Sequence, residues 1–271
     1  MDKTIGFIGA GSMAKAMISG IISSDLIACE DIMVSSHTQE TLNAIKDKFN
    51  TGVNLDNKEV AKISDVLILA VKPHLYEDIL KEIEESIKDN SVIVVIAAGI
   101  SIEFIKSRLG QRQLTVKAMP NTPALIGEGM TAISFDGDIG RDDKGDILRI
   151  FKSFGEVEEL DENLMDAYTA LAGSSPAYVY MMIEAMADAG VMGGIPRKSA
   201  YKMASQAVLG AASMVLHTGT HPAVLKDNVC SPGGTTIDAV AKLEQGGFRS
   251  SIIEAMRVCE ERSKELSEGQ S

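Results

Sequence analysis

Three small residues near the amino terminus have the spacing of a pyrophosphate-binding turn. Gly9, Gly11 and Ala14 form the pattern G-x-G-x-x-A between an apolar run at residues 5–8 and a helical pattern at residues 12–23. In such a turn the first glycine lets the chain reverse, and the second lets the backbone approach the phosphates without a Cβ. The third small residue lets the helix pack on the strand. A strand, turn and helix in this order predict dinucleotide binding in preference to a purely structural turn.

The end of the next apolar strand indicates which dinucleotide is bound. NAD sites usually place an Asp or Glu there, because a carboxylate accepts hydrogen bonds from the adenosine ribose. Residues 34–38 are Val-Ser-Ser-His-Thr, and no acid occurs before Glu40. The hydroxyl of Ser36 and the imidazole of His37 can donate to a 2′-phosphate, so the pattern favours NADP(H). Because no arginine accompanies them, NAD(H) stays open as an alternative, and so does an ordinary polar turn.

Two further segments are expected at the same edge of the sheet, where ligands of doubly wound folds bind. Residues 70–73 (Ala-Val-Lys-Pro) end the third predicted strand, and the small residues 97–99 (Ala-Ala-Gly) end the fourth. Lys72 either faces the cofactor or is a surface charge, and its position is equally compatible with both. The small residues are consistent with backbone that passes close to the dinucleotide.

A second glycine-rich loop, more than two hundred residues later, has groups suited to a carboxylate. Gly233, Gly234, Thr235 and Thr236 precede a helical pattern, so backbone N–H groups and the positive end of the helix dipole are available to an anion. The alternative is a simple helix cap by Ser231 or Thr235. Two consecutive glycines cost backbone entropy that a cap does not require, which favours a binding function.

The scaffold that positions these segments is predicted from the alternation of apolar runs and amphipathic stretches before residue 160. It indicates a Rossmann-type α/β fold with a doubly wound parallel sheet. From residue 161 the pattern is helical, so we expect a cofactor domain at 1–160 and an all-α domain at 161–271, with residues 268–271 frayed. The predicted strands are residues 5–8, 32–35, 66–71, 91–98, 114–119 and 130–135, and the predicted helices of the first domain are residues 12–23, 39–49, 76–87 and 102–109.

Composition argues against several classes of function. A net charge of −12 without a basic cluster disfavours a nucleic-acid partner. Cys29, Cys230 and Cys259 are too scattered for a disulfide framework or a metal site, so no metal and a reducing, cytoplasmic compartment are expected. No apolar run reaches ~18 residues, and the first residues run straight into a strand. Neither a membrane span nor a signal peptide is therefore expected.

Four segments, in this order and at this spacing, carry a family resemblance. They are residues 119–123 (MPNTP), 173–178 (GSSPAY), 227–236 (DNVCSPGGTT) and 243–249 (LEQGGFR). Together they resemble pyrroline-5-carboxylate reductase, the last enzyme of proline biosynthesis, over essentially the whole chain. The resemblance implies a Rossmann domain, a helical dimerisation domain, and reduction of the cyclic imine pyrroline-5-carboxylate to L-proline by NAD(P)H.

The resemblance also implies roles for individual residues. Substrate would lie against Asn228, Ser231, Gly234, Thr235 and Thr236, with the Thr236 hydroxyl bonded to the ring nitrogen as the catalytic group. Three positions depart from the family pattern without removing a group that the reaction needs: Ser175, usually Gly; Cys230, often Ser; and His37, often basic. The residues expected to bind the cofactor, which include His37 from the strand end above, are Ile8, Gly9, Ala10, Gly11, Ser12, Met13, Ser36, His37, Asn57, Ala70, Val71, Lys72, Pro73, Ala97, Ala98 and Gly99.

Two alternative functions fit parts of the pattern. A β-hydroxyacid dehydrogenase has the same two-domain layout, but members of that family resemble one another in an acid–base lysine near the start of the corresponding helix. Val179 stands where that lysine would lie, which favours an imine over a ketone substrate. A dinucleotide sensor without catalysis is not expected to keep the loop at residues 231–236 intact.

The helices of the second domain are expected to meet a second copy of the chain. Residues 167–192 and 201–216 are rich in Ala, Met and Leu, and present more apolar surface than a lone small bundle can bury. We therefore expect a homodimer through the second domain. The family's interlocked dimer, sometimes assembled into a larger homo-oligomer, agrees with this expectation.

Overall fold

The computed structural model describes residues 1–268, and its amino-terminal part is built on one sheet of eight strands. Their order is β3-β2-β1-β4-β5-β6-β7-β8. The first six are parallel and have the order of a Rossmann fold, so the predicted fold class is confirmed. The strands are β1 (Ile5–Ile8), β2 (Ile32–Ser35), β3 (Gly52–Asn54), β4 (Val66–Leu69), β5 (Val92–Val95), β6 (Leu114–Pro120), β7 (Gly129–Phe135) and β8 (Gly155–Glu159).

Helices follow most strands, and within residues 160–268 they replace strands entirely. No helix of residues 1–268 has both the length and the apolarity needed to cross a bilayer. Of the residues expected to fray, Glu268 ends the last helix, and 269–271 lie outside the described residues. The α-helices are α1 (Ser12–Ser23), α2 (Gln39–Phe49), α3 (Asn57–Ile63), α4 (Tyr76–Ile83), α5 (Ile102–Leu109), α6 (Arg141–Lys152), α7 (Met165–Tyr168), α8 (Ser175–Met192), α9 (Arg197–Thr218), α10 (Pro222–Val229), α11 (Thr235–Gln245) and α12 (Phe248–Glu268).

The central strands form from apolar runs because both of their faces are covered. In β4, Val66 and Ile68 belong to one apolar cluster, whereas Leu67 and Leu69 belong to another. All four side chains are fully buried. An uninterrupted apolar run is the pattern of a parallel strand with helices on both faces. Leu69 pairs in register with the last residues of β1 and β5, so the three strands end together at one edge of the sheet.

One strand pairing differs from the all-parallel expectation. β7 runs antiparallel to β6, and β8 then pairs parallel to β7. The chain between Pro120 and Gly129 contains only a 3-10 segment, Thr122–Ile126. A parallel neighbour needs a crossover of about a dozen residues or more, usually with a helix, so this short connection returns the chain as an antiparallel strand.

Four elements were absent from the sequence-based prediction. Strand β3 has only three residues, all half-buried, and offers no clear alternation. Helix α3 is also short. Helix α6 carries many charges and an internal glycine, although its buried face holds Ile147, Ile150 and Phe151. Strand β8 is largely exposed and rich in glutamate, a residue depleted in strands.

Contacts divide the chain into two compact units. The first comprises residues 1–173 and the end of α12 from Cys259, and the second is Ser174–Val258. The sequence pattern grouped residues 161–173 with the helical domain, whereas their contacts are with the sheet. The Tyr168 hydroxyl donates to the carbonyl of Met130 in β7 at 2.6 Å, and Met165 is buried in the same apolar cluster.

The second unit buries little of its own apolar surface. Within residues 174–258 the buried hydrophobic side chains are those of Ala187, Ala200 and Ala204. Larger apolar side chains of α8 and α9 are exposed in the single chain, among them Met192 (89%) and Leu216 (81%). Large apolar side chains exposed in this number along two helices indicate an interaction site.

Asp65 ties the start of β4 to the residue before β1. Its carboxylate accepts hydrogen bonds from the Thr4 N–H at 2.9 Å and from Lys88 Nζ at 2.7 Å. Burial would raise the pKa of Asp65, but these two donors more than offset burial and lower it. A carboxyl with a depressed folded-state pKa stabilises the fold above its unfolded pKa of about 4, and this contribution is lost as the pH falls through the folded value.

An Asp65→Asn variant should therefore lower the Tm by about 2–4 °C at pH 7, the shift that about 1 kcal/mol produces in a chain of this size. The difference from wild type should narrow as the pH falls below about 4, where the carboxyl of the unfolded wild-type chain takes up a proton, and it should be smallest below the lower pKa of the folded state. Thermal melts across this pH range measure both effects, with Asp47→Asn, an exposed position of α2, as the matched control. Equal melting temperatures at pH 7 would contradict the role assigned to Asp65.

Candidate functional site

The turn between β1 and α1 has the geometry of a phosphate cradle. Gly9 adopts a φ of +101°, and a Cβ there would lie 2.5 Å from the carbonyl oxygen of Ala70. Gly11 is the N-cap of α1 and has no capping side chain, so the first N–H groups of the helix remain available to an anion. A Cβ on Gly11 would have no protein atom within 4 Å. No contact within the described chain requires glycine there, which fits a bound pyrophosphate.

A cavity of about 450 Å³ opens beside this turn, at the edge where β1, β2 and β4 end. It unites the turn with Ser36 and His37 after β2, with Asn57 at the start of α3, and with the segment after β4. The predicted cofactor residues that line it are Ile8, Gly9, Ala10, Gly11, Ser36, His37, Asn57, Ala70, Val71 and Lys72. The others lie outside this lining: Ser12 and Met13 in the first turn of α1, Pro73 at the start of a 3-10 turn, and Ala97, Ala98 and Gly99 after β5.

Four lining residues were absent from the prediction. Thr41 lies in α2, His74 and Leu75 follow the predicted segment 70–73, and Ile79 belongs to α4. The sequence carried a signal for His74, because it directly follows residues already placed at the ligand edge. Thr41 and Ile79 lie within helices whose patterns indicate only a buried and an exposed face, so no local signal identified them.

Asn57 has its side-chain amide fixed by partners on two other elements. Ser35 Oγ donates to Asn57 Oδ1 at 2.7 Å, and Asn57 Nδ2 donates to Glu82 Oε2 at 2.9 Å. The hydroxyl of Ser35 is buried at the end of β2. These bonds hold the amide of Asn57 at the cavity wall with its oxygen toward β2.

The charges around the cavity suit an anionic ligand. Lys72, His37 and His74 are its titratable lining residues, and the described residues of the lining include no Asp or Glu. A carboxylate there would repel a 2′-phosphate. The cavity wall thus has the electrostatic character that the end of β2 predicted. Across residues 1–268 there is also no group of three His, Cys, Asp or Glu side chains arranged to hold a metal.

The second glycine-rich loop joins α10 to α11. Gly233 has a φ of +66°, a conformation that favours glycine. A Cβ on Gly234 would lie 2.4 Å from Ser231 Oγ and 3.1 Å from the Ser231 carbonyl oxygen, so Ser231 would have to shift to admit a larger residue. Gly234 is the N-cap of α11, and no side chain caps this helix. The simple capping role considered for Ser231 or Thr235 is therefore not what the structure shows. The first N–H groups of α11 remain available to an anion.

The residues expected to contact substrate surround this helix start. Thr235 and Thr236 are the first two residues of α11, Ser231 lies in the loop, and Asn228 is exposed on α10. His221, just before this helix, caps α10 by accepting a hydrogen bond from the Ala223 N–H at 3.2 Å. All these residues belong to the second unit.

The MPNTP segment has a structural role that its sequence alone did not reveal. Asn121 is 8% exposed, accepts a hydrogen bond from the Met130 N–H, and donates one to the carbonyl of Ala172, both at 2.9 Å. It therefore fixes the π-helical turn Thr169–Gly173, which ends the first unit. Helix α8 then begins at Ser175, within the GSSPAY segment, with Pro176 in its first turn.

Comparisons with known proteins cover the whole chain. The family profile described as pyrroline-5-carboxylate reductase dimerisation matches residues 162–266, and one described as NADP oxidoreductase coenzyme F420-dependent matches residues 4–99. Pyrroline-5-carboxylate reductase of Escherichia coli (strain K12) is 47% identical over 98% of this chain and 99% of its own length.

Solved structures agree with these matches. A pyrroline-5-carboxylate reductase from Coxiella burnetii superposes with a TM-score of 0.92 and 32% identity, over 98% of this chain and 99% of the other. Pyrroline carboxylate reductase of Plasmodium falciparum, solved with NADP bound, gives a TM-score of 0.89 and 30% identity over 98% of each chain. Identity at this level over nearly the full length shows common descent as well as a common fold. The chain belongs to the pyrroline-5-carboxylate reductase family.

Proposed function

We propose that this protein reduces 1-pyrroline-5-carboxylate to L-proline with NADPH as the hydride donor. Membership of the family supports this activity. The structural observation that carries it is the uncapped start of α11, where Thr236 stands beside free N–H groups. The chain thus offers donors for a carboxylate and a hydroxyl for a ring nitrogen within one helical turn.

The reaction needs no strong acid or base from the protein. The cofactor, when bound, supplies a hydride to the imine carbon, and the ring nitrogen gains one proton. Because an imine nitrogen is more basic than a carbonyl oxygen, the substrate can arrive already protonated and electrophilic. The residues of the α11 start then hold the substrate carboxylate by their N–H groups, and the Thr236 hydroxyl orients the ring nitrogen. Positioning supplies most of the rate enhancement under this mechanism.

The cofactor is held by residues of the first unit. The turn at Gly9 and Gly11 and the uncapped start of α1 would take the pyrophosphate. Ser36 and His37 would lie near the 2′-phosphate of NADPH, with Asn57 and Lys72 at the same cavity. NADH lacks only the 2′-phosphate and keeps the pyrophosphate that the turn would hold, so the same site could also take NADH.

A Ser36→Asp variant tests which dinucleotide the end of β2 selects. The new carboxylate should repel the 2′-phosphate and raise the KM for NADPH at least about tenfold, while it accepts hydrogen bonds from the ribose of NADH. Steady-state kinetics with both cofactors measure the ratio of the two KM values. Ser36→Asn has the same shape without the charge and separates repulsion from size. An unchanged ratio in the Asp variant would place the 2′-phosphate elsewhere.

The activity itself is tested by mixing the protein with NADPH and pyrroline-5-carboxylate and following the absorbance of the reduced nicotinamide. We expect oxidation of NADPH with formation of proline. Turnover of a hydroxy acid, without turnover of the cyclic imine, would overturn the proposal in favour of a β-hydroxyacid dehydrogenase. Binding of NADPH with turnover of neither would favour the dinucleotide sensor.

The division of labour follows the two halves of the chain. Residues 1–160 would form the NAD(P)-binding domain, and residues 161–271 the substrate-binding and dimerisation domain, an assignment supported by the profile that matches residues 162–266. The exposed apolar side chains of α8 and α9 support a homodimer through this domain. Light scattering should give at least twice the 28.9 kDa of one chain, and a monomer mass would refute dimerisation.

The cysteines support a reducing, cytoplasmic site of action. Cys29 and Cys230 take part in no disulfide in the structure. Proteins of oxidising compartments more often pair their cysteines. Fractionation of cells that express the protein, followed by detection with an antibody, tests this location. Recovery with an extracytoplasmic fraction would contradict it.

A further inference from the structure

Tyr76 is a fully buried tyrosine that touches the cofactor edge of the sheet without lining the cavity. It is the first residue of α4 and has no solvent exposure. Its hydroxyl donates a hydrogen bond of 2.6 Å to the carbonyl oxygen of Leu69, the last residue of β4. Ala70, Val71 and Lys72, which line the cavity, follow directly after Leu69.

The same side chain reaches the neighbouring strand end. Tyr76 shares an apolar cluster with Val95, the last residue of β5, and with Ala97 just beyond it. Burial raises the pKa of Tyr76, although backbone hydrogen bonding from Ile96 and Ala97 acts in the opposite direction. The hydroxyl therefore stays protonated and remains a donor. Tyr76 thus bonds directly to the end of β4 and shares an apolar cluster with the end of β5, the two strands from which predicted cofactor segments emerge.

The surroundings of Tyr76 indicate that the hydroxyl is there for this bond. The other buried members of its cluster are aliphatic, so a phenylalanine ring would fill the same space. Burying a hydroxyl among them is unfavourable unless it has a partner. The bond to Leu69 satisfies the hydroxyl and fixes the backbone carbonyl at the point where the chain leaves the sheet.

We infer that Tyr76 is a positioning residue for the cofactor: its hydroxyl holds the Leu69 carbonyl and thereby fixes the backbone of residues 70–73 at the cavity. This inference rests on the proposed function, because it takes the cavity to be the dinucleotide site. It assigns Tyr76 no contact with the ligand. The hydroxyl acts by pre-organising the segment, so that less ordering is needed when the cofactor binds.

Tyr76→Phe is the direct test, and Tyr168→Phe is its matched control. Both tyrosines are buried, and each donates a 2.6 Å hydrogen bond to a backbone carbonyl of the sheet, but Tyr168 bonds to Met130 in β7. The dissociation constant of NADPH can be measured by the fluorescence of the reduced nicotinamide. It should rise about five- to tenfold in Tyr76→Phe, which corresponds to a loss of about 1 kcal/mol of binding free energy. It should change less than about twofold in Tyr168→Phe, which loses a comparable bond elsewhere. At saturating NADPH the kcat of Tyr76→Phe should stay near that of wild type.

A second measurement needs no cofactor. Hydrogen exchange of the protein alone should be faster in Tyr76→Phe for peptides that cover residues 69–75, and unchanged there in Tyr168→Phe. Equal NADPH affinity and equal exchange in wild type and Tyr76→Phe would overturn the inference, as would equal effects of the two substitutions. If wild type fails to bind NADPH, the proposed function fails, while the exchange comparison still decides whether Tyr76 fixes the segment.

Discussion

A Gly11→Ala variant should fold as the wild type does and bind NADPH about 100-fold more weakly. The backbone of Gly11, with φ −71° and ψ −177°, is open to alanine, and no protein atom lies within 4 Å of the added Cβ. The methyl group would instead occupy the space that a pyrophosphate needs at the start of α1. Overlap of this size costs up to about 3 kcal/mol in a packed site, which corresponds to about two orders of magnitude in affinity.

The measurements are a thermal melt and an NADPH titration, with Gly145→Ala as the matched control. A Cβ at Gly145, in α6, also meets no atom within 4 Å, but this helix takes no part in the cavity. Its NADPH affinity should be that of wild type. Gly9→Ala should behave differently from both, because its positive φ and its contact with the Ala70 carbonyl oxygen make it lose stability. If a folded Gly11→Ala protein binds NADPH as tightly as wild type does, the pyrophosphate does not bind at this turn.

Replacement of Thr236 by valine should lower kcat for imine reduction about 10- to 100-fold, because it removes a hydroxyl expected to bond a charged ring nitrogen. Valine has nearly the shape of threonine, and the position is the second residue of α11, so the helix start should keep its form. Affinity for NADPH should not change, since the cofactor groups lie in the first unit. Steady-state kinetics and an NADPH titration separate these two quantities.

A Thr236→Ser variant separates the contribution of the hydroxyl from that of the methyl group. Serine keeps the hydroxyl and loses only a methyl group, so this variant should retain most of the activity. If serine lowers kcat as much as valine does, the methyl group of Thr236 matters as much as its hydroxyl, which would contradict a role carried by the hydroxyl alone. A valine variant with the wild-type rate would assign the orientation of the ring nitrogen to another group.

The central strands and the ligand edge of the sheet could be predicted because the relevant signals are local. The run at residues 66–71 is apolar throughout, and its first four residues form β4 with both faces covered. Gly9 likewise specifies the turn after β1 through its positive φ. Such signals are set by a few adjacent residues, so they can be read without the rest of the fold.

Other parts of the site depend on contacts between distant residues. Thr41 and Ile79 line the cavity only because α2 and α4 pack where the sheet ends. The hydrogen bond from Asn57 to Glu82 joins residues 25 positions apart, and the sequence around neither residue predicts it. The reversed direction of β7 follows from the short connection after Pro120, which carries no periodic pattern of its own. Sequence patterns describe single helices and strands, whereas these features arise from contacts between two elements that are distant in the sequence.

Because the second unit (residues 174–258) has a core of only three buried alanines, we expect its stability to depend on protein concentration as well as on the sequence. Ala187, Ala200 and Ala204 supply too little buried area to hold this unit by themselves, so folding draws on surface that a partner must cover. By mass action, the free energy of unfolding then rises with protein concentration. A cell that produces little of the chain would hold a larger fraction of it unfolded and exposed to proteolysis. Expression level and fold are thereby coupled in this protein.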